Sequence, residues 1–322
     1  MNRAFFIVGP TATGKSELAA ELAEEIGAEI VSVDAFQIYR GLDLLTAKPD
    51  ASTLAKAPHH LIGTASLHKE MNAEKYRRAV MAAVDEINSR HRLAIVVGGS
   101  GLYIKAFTHG LAALPASDSK LREKLNTMSL DELCSRLEDL DPEAAEKLDT
   151  KNRRRLVRAL EICLLTGKPA SEVVAGVGDS GRPGSSAFAK ATADKPIPAT
   201  GVFVLRDREE LYQRINQRVE AMFEQGVIEE VRAAGATGAT ASQMIGLRQI
   251  RELLNGKMSL SQCIAEIQQA TRRYAKRQLT WFRRQTSFLP LNLSLLSHNE
   301  ARILLRLRAE LRKGSEVRTT DD

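Results

Sequence analysis

The sequence is short of cysteine, tryptophan and long apolar stretches, and each shortage closes off a class of protein. Its three cysteines, Cys134, Cys163 and Cys263, lie far apart and form no CxxC pair. That argues against a disulfide framework or a zinc site, and it fits a reducing cytoplasm, the expected location. No apolar run approaches the ~18–20 residues of a membrane span, so no membrane partner is expected. Residues 1–9 carry no signal-peptide cleavage pattern and read as a short apolar strand instead. One tryptophan and 5% aromatics leave few stacking surfaces. Neither sign of charge dominates: 46 Lys+Arg against 40 Asp+Glu give a net +6, compatible with a polyanionic partner but too mild to require one. There is no internal repeat.

What remains is ordinary globular composition, 43% apolar and 27% charged over 322 residues. That length predicts two domains, or one large domain with an insertion. The first part alternates strands and helices. Residues 4–9 (AFFIVG), 29–34 (EIVSVD) and 93–98 (LAIVVG) are continuous apolar runs, as in strands buried on both faces. Helical spacing follows the first run at 16–26, and it separates the last two at 73–89. Strands separated by helices predict a parallel sheet covered on both sides, the α/β class.

From Asp118 to about Pro169 no strand signal appears, and leucines recur at helical spacing. Residues 176–198, rich in Gly, Ala, Ser and Pro, predict a mobile loop or linker. Residues 202–205 (VFVL) restore a buried strand, and a long helix starts near Asp207. The expected layout is an α/β core over 1–117, an all-helical insertion over 118–198 and the rest of the core over 199–290. A C-terminal helix and tail follow over 291–322, frayed after Gly314. Beyond the VFVL strand everything is expected to be helical. Ser259 with Gln262 three residues later marks a capping box, opening a helix that reaches about Arg284.

Gly9, Pro10, Thr11, Ala12, Thr13, Gly14, Lys15 and Ser16 fit the phosphate-loop pattern GxxxxGK[ST], after a strand and before a helix. The glycines let backbone N–H groups turn toward phosphate oxygens. The helix start adds about half a positive charge, Lys15 adds a full one, and the Ser16 hydroxyl can ligate Mg²⁺. The motif does not specify which phosphate compound binds. Asp34 ends the second strand, at the sheet edge where open α/β folds bind ligands. It can hold a metal, accept a proton, or cap the next helix. Gln37 can pair with a base edge, and the turn of Gly98, Gly99, Ser100 and Gly101 can bring Ser100 close to a ligand.

Two stretches are basic and free of acid. Residues 151–158 (KNRRRLVR) hold five cations in eight, and 272–284 (RRYAKRQLTWFRR) hold six in thirteen, with Tyr274, Trp281 and Phe282 interleaved. A single run is usually a solvated face. Two of them, one in the insertion and one near the end of the core, suit an RNA stem and loop. Leu279 and Phe282 fall at core spacing, and Trp281 fits either role. The RNA-contact candidates are Arg154, Arg155, Arg158, Arg248, Lys276, Arg277, Gln278 and, more weakly, Arg122. Arg214 and Arg218 lie four apart on one helical face. Arg218 lacks an acid three or four residues away, which makes it the first candidate for a bound anion. His59-His60 has no acid or cysteine cluster and reads as structural or channel-lining rather than metal-binding.

The motifs taken together resemble the tRNA dimethylallyltransferase (tRNA isopentenyltransferase) family. They run in order as GPTATGKS, DAFQIYRGLD from Asp34, TAKP from Thr46, PHHLI from Pro58, GGSGLY from Gly98, RRLVRALE from Arg154, TGKPASE from Thr166, IGLRQI from Ile245 and YAKRQLTWFR from Tyr274. The resemblance implies a P-loop kinase-like parallel-sheet core with a helical insertion that grips the anticodon stem. It implies transfer of a dimethylallyl group from dimethylallyl diphosphate to N6 of adenine 37 of tRNA, by a monomer using Mg²⁺. The phosphate loop, with Arg214 and Arg218, would hold the diphosphate. Asp34, Ser100, Lys15 and Arg218 would be catalytic. Asp34, Ala35, Phe36, Gln37, Ser100, Gln243 and Gly246 would join the basic residues as tRNA contacts. Ala35-Phe36 replaces the family's commoner Ser-Met, Ser100 a threonine, Leu247 a tyrosine and Gly63 an aspartate, changes that touch contact detail more than the reaction. The rivals are a P-loop small-molecule kinase, an isopentenyltransferase acting on free adenine nucleotides, and a non-catalytic RNA-binding protein.

Overall fold

The computed structural model describes residues 4–110, 114–175, 200–285 and 287–314. The expected linker at 176–198 and the expected frayed tail after Gly314 lie outside the described residues. The chain divides into two compact units, 1–107 together with 197–322, and 108–196.

The larger unit is built on a sheet whose elements begin in chain order with β1 (Ala4–Val8), α1 (Lys15–Ile26), β2 (Glu29–Val33), α2 (Ala51–Ala55), β3 (His59–His60), α3 (Ala73–Ser89), β4 (Ala94–Gly98) and α4 (Gly101–His109). After α5 (Ser119–Thr127), α6 (Leu130–Leu140), α7 (Pro142–Lys147), α8 (Arg153–Thr166) and α9 (Ala170–Ala175), the chain returns with β5 (Thr200–Leu205), α10 (Arg208–Glu224), α11 (Val227–Ala234), α12 (Leu247–Leu254), α13 (Leu260–Phe282), β6 (Phe288–Asn292) and α14 (His298–Gly314). The described strands form one six-stranded sheet in the order β3-β2-β4-β1-β5-β6, with every pairing parallel. This is the expected doubly covered α/β core.

The apolar strand runs have a simple cause. Successive side chains point to opposite faces, so a sheet covered on both sides must be apolar at every position. Phe6, Val8, Val31, Val33 and Val96 enter one core with Tyr76, Val80 and Val84 of α3 and Ile267 and Phe282 of α13. Phe5, Ile7, Ile30, Ile95 and Val97 enter the other with Leu18 and Leu22 of α1 and Leu305 and Ala309 of α14. The capping box expected at the head of the long helix is present, with Ser259 and Gln262 satisfying each other's backbone N–H groups at the start of α13.

One expectation is corrected. The tail of the core is not wholly helical, because Phe288–Asn292 adds a sixth strand beside β5. Pro290 hid it, yet a proline, which lacks an N–H, is tolerated where one edge of the strand needs no ladder bond. The histidine pair forms the opposite edge strand: His59 and His60 pair with Ile30 and Val31. His60 Nε2 meets the buried Glu29 carboxylate at 2.7 Å.

The smaller unit is helical among its described residues. Leu125, Leu133, Leu137, Leu156 and Leu160 close its core. Asp141 N-caps α7 through the Ala144 N–H and also accepts from the Ser171 N–H and hydroxyl, pinning α9.

Candidate functional site

Parallel pairing brings the ends of β1, β2, β4 and β5 to one edge, and each strand is followed there by residues the sequence singled out or passed over. After β1 comes the phosphate loop. Gly9 passes so close to β5 that a Cβ would sit 2.2 Å from the Val204 carbonyl oxygen. Gly14 has φ 90°, a left-handed conformation at the head of α1 that favours glycine. Ala12 shares that region at φ 66° without being glycine, so the loop carries local strain of order 1–2 kcal/mol. The Thr13 hydroxyl is buried and donates to the Pro10 carbonyl at 3.0 Å, a brace inside the loop rather than a free ligand group.

The loop is held from outside by three side chains. Gln278 of α13 accepts from the Thr11 N–H at 3.0 Å and donates to the Gly99 carbonyl at 2.9 Å. Gln278, expected on the RNA surface, is thus a buried strut joining two glycine-rich turns. Arg214 donates through Nε to the Ala12 carbonyl, and Arg206 through Nε to the Thr13 carbonyl, each at 2.9 Å. Arg206 was missed by sequence reasoning. Its signal was position alone, the residue directly after β5 as Asp34 directly follows β2.

Lys15 Nζ donates to the Pro10 carbonyl at 3.0 Å. Burial lowers its pKa to about 8, with Asp34 opposing and Arg218 assisting the shift. Arg218 is half-buried on α10, its guanidinium turned into the crevice. Burial lowers its pKa to about 10, Asp34 opposes, and Arg214 adds to the lowering. Its Nε is buried without any hydrogen-bond partner. A buried donor left unpaired costs ~1–3 kcal/mol, more for a charged group, so native structures rarely keep one without a role.

Asp34 Oδ1 accepts from the Phe36 and Gln37 N–H groups at 2.9 and 3.3 Å, so one oxygen caps a turn rather than the helix expected there, the next helix being α2 at Ala51 with Asp50 as its cap. Oδ2 has no hydrogen bond among the described residues, leaving it for other work. The charge of Asp34 acts on two cations, Lys15 and Arg218, and on two phenols, Tyr76 and Tyr274. Burial, then Asp34, pushes both phenols above their ordinary pKa. Tyr76 OH donates to the Ser32 carbonyl and accepts from the Asp34 N–H. Ser100 Oγ is buried and accepts from the Ala35 N–H at 3.1 Å.

Two cavities meet at this point. A polar one of about 280 Å³ runs along the phosphate loop past Lys15, Ser16, Asp34, Arg214 and Arg218 toward His59. An apolar one of about 80 Å³ is walled by Phe36, Leu45, Met222, Met244, Ile267 and Tyr274. Thr11, Asp34, Thr46, Ala47 and Arg218 belong to both. Tyr274, Thr46 and Ala47 were not among the expected site residues. No cluster of three metal-ligating His, Cys, Asp or Glu occurs among the described residues.

Other expected contacts have different employment. The Gln37 amide donates to the Ala47 and Thr46 carbonyls at 2.9 and 3.4 Å, and its oxygen accepts from Ser32 Oγ, so it is a strut and not a free base reader. Trp281 packs on Gly101, where a Cβ would lie 2.5 Å from the indole, which assigns it to the core. Arg248 is exposed but pairs with Glu252 at 2.8 Å and Glu266 at 3.6 Å. Gln243 is exposed, and Gly246 is buried at the head of α12, where a Cβ would press on Leu45 at 2.8 Å. Lys276 and Arg277 are exposed on α13, Arg277 lying 5.7 Å from the Tyr274 ring centre. In the helical unit Arg122 grips the fully buried Glu161 carboxylate with two bonds of 2.9 Å, and Arg158 pairs with the same carboxylate. Those two are structural cations, whereas Arg154 is exposed and Arg155 half-buried.

A parallel sheet with a glycine-rich loop after its first strand, and with Lys15, Arg218 and the Asp34 carboxylate lining one crevice, defines an α/β protein with a P-loop-like core. The family model described as IPP transferase matches residues 37–285, and the chain belongs to that family. It is 43% identical over 280 residues to tRNA dimethylallyltransferase 1 of Citrifermentans bemidjiense, covering 85% of this chain and 87% of the relative. It is 41% identical to the tRNA dimethylallyltransferase of Akkermansia muciniphila, covering 87% and 90%. Among solved structures it is similar to the full-length tRNA isopentenylpyrophosphate transferase of Bacillus halodurans, with a TM-score of 0.69, 30% identity and coverage of 98% and 100%.

Proposed function

We propose that this chain is a tRNA prenyltransferase that moves a dimethylallyl group from dimethylallyl diphosphate to N6 of the adenine at tRNA position 37, beside the anticodon. The observation that carries the reading is the buried, unpaired Nε of Arg218 beside Lys15 and Asp34 at one crevice. An anion there completes the hydrogen bonds of Arg218 and offsets two desolvated cations; a prenyl diphosphate supplies that anion on a five-carbon apolar group.

The diphosphate lies in the polar cavity, on Lys15, Arg218 and the start of α1. The allylic C–O bond breaks, the C–N6 bond forms, and diphosphate leaves with its electron pair. Cations held in a dry site stabilise the charge that grows on the leaving oxygen, an effect worth ~10²–10³-fold per well-placed group. The N6 proton passes to Asp34 Oδ2, since the adenine amine is a weak nucleophile until it loses that proton; such base catalysis contributes ~10²–10⁴-fold. Tyr76 and Tyr274 stay neutral around that carboxylate. The adenine must leave its stack to reach the crevice. Ser16 lines the polar cavity with a hydroxyl that has no partner among the described residues, and it is the residue that would hold a Mg²⁺. The ion would share the diphosphate charge.

Phosphate contacts on RNA are assigned to Lys276 and Arg277 in the α/β unit and to Arg154 and Arg155 in the helical unit, the proposed stem-binding part. The test is incubation of the purified protein with dimethylallyl diphosphate, Mg²⁺ and unmodified tRNA, followed by nucleoside mass analysis. One prenylated adenosine 3′ to the anticodon is expected. Transfer of label from the γ-phosphate of ATP, or prenylation of free AMP in place of tRNA, would overturn the assignment.

A further inference from the structure

The TAKP segment has no role in the chemistry above, yet Thr46 and Ala47 wall both cavities. The loop that carries them is constrained. Leu42 and Ala47 hold φ values of 56° and 50°, left-handed conformations that neither residue favours. Such strain persists only where surrounding contacts over-determine it, and it gathers at functional sites. Some of those contacts are internal to the loop. The Thr46 hydroxyl donates to the Leu42 carbonyl at 2.7 Å, and the Lys48 ammonium reaches the Tyr39 and Gly41 carbonyls and Asp43.

One tie comes from far along the chain. The Glu230 carboxylate of α11 accepts from the Leu44 N–H at 2.8 Å and from the Leu45 N–H at 2.9 Å. No cation pairs with Glu230 among the described residues, so the loop is the partner of both its oxygens. On the far side of the loop, Gln37 donates to the Ala47 carbonyl at 2.9 Å, and its own N–H donates to Asp34 Oδ1 at 3.3 Å. An unbroken series of contacts thus runs from Glu230 through residues 44–47 and Gln37 to Asp34.

We infer that Glu230 is a positioning residue for prenyl transfer: by gripping the Leu44 and Leu45 N–H groups it fixes the wall shared by the two cavities and, through Gln37, the turn that aims Asp34. The inference rests on the proposed function. Displacements near 1 Å at a reacting centre cost ~10²-fold in rate, so the tie acts on chemistry without touching substrate.

The test is a single turnover with enzyme well above tRNA and saturating dimethylallyl diphosphate, where the rate constant does not depend on the fraction of enzyme folded. Glu230→Gln, which keeps the shape but turns an NH₂ toward one N–H, is expected to slow the step ~10-fold, and Glu230→Ala ~100-fold. tRNA affinity should stay at the parental value. Glu229→Gln, one residue earlier and exposed, should keep the parental rate. Parental rate constants in both Glu230 variants would overturn the inference, as would equal slowing in Glu229→Gln, which would make α11 a merely structural element. A parent that prenylates no tRNA would overturn the proposed function and this inference with it, whereas an active parent with unaffected variants overturns this inference alone.

Discussion

Arginine plays opposite parts in the two units. In the helical unit, Arg122 and Arg158 converge on Glu161, whose side chain is 0% exposed and also accepts from the Asp118 N–H. In the α/β unit, Arg218 is half-buried as a residue, but its Nε is closed off from water without a partner and its acidic neighbour Asp34 already caps a turn. Cations spent on closing a buried carboxylate are architecture; a guanidinium whose buried Nε is left incomplete is a binding group. In the sequence Arg158 stood out within a basic run, Arg218 for lacking an acid three or four residues away, and Arg122 more weakly. The difference lies in one carboxylate, Glu161, which stands one helical turn from Arg158 and reaches Arg122 across 39 residues.

The contrast breaks first on chemistry. Asp34→Ala should lower turnover ~10²–10⁴-fold while tRNA affinity stays within about tenfold, because the base acts on the proton and not on RNA binding. Arg218→Gln should lower kcat/KM for the prenyl donor ~10²–10³-fold, with a melting temperature unchanged or raised, since an uncompensated buried charge is gone. Steady-state kinetics and calorimetry on the same preparations check both. The mirror experiment is Glu161→Gln, expected to cost about 3 kcal/mol in denaturant unfolding and to leave kcat/KM for the donor within about twofold at saturating tRNA. If Glu161→Gln lost donor kinetics and Arg218→Gln lost stability, the two arginine classes would have to be exchanged.

A smaller effect is set by pH. Lys15 is held down to about 8 by burial, and its protonated form binds diphosphate. kcat/KM for the donor, which follows the free enzyme, should therefore be level below pH 8 and fall about tenfold per pH unit above it. A profile flat to pH 10 would remove Lys15 from donor binding. Smallest is the RNA surface: Lys276→Ala with Arg277→Ala should weaken tRNA binding several-fold and flatten the log–log salt slope by about one per lost phosphate contact. An unchanged salt slope would move the interface elsewhere.

What was legible in the sequence was local. The phosphate loop carries its chemistry in eight consecutive residues, and helix α3 fell at 73–89 because its caps and apolar period lie within one segment. The capping box at Ser259 is a four-residue signal. What was illegible was long-range or very short. Gln278 meets Thr11 across 267 residues, and Arg122 meets Glu161 across 39, so both read as free RNA-binding groups. Edge strand β3 has two residues, and β6 holds a proline, leaving too little period to detect. Asp34 was legible as a site residue because it ends an apolar strand. The division of its two oxygens between turn and crevice was not, because that depends on backbone direction after the strand.

The most direct measurement is a crystal structure with a sulfur-bridged, unreactive analogue of dimethylallyl diphosphate. The account predicts diphosphate oxygens within hydrogen-bond distance of Lys15 Nζ and Arg218 Nε, with the allylic carbon facing Asp34. An analogue seated away from both cations, with Arg218 Nε still unpaired, would contradict it.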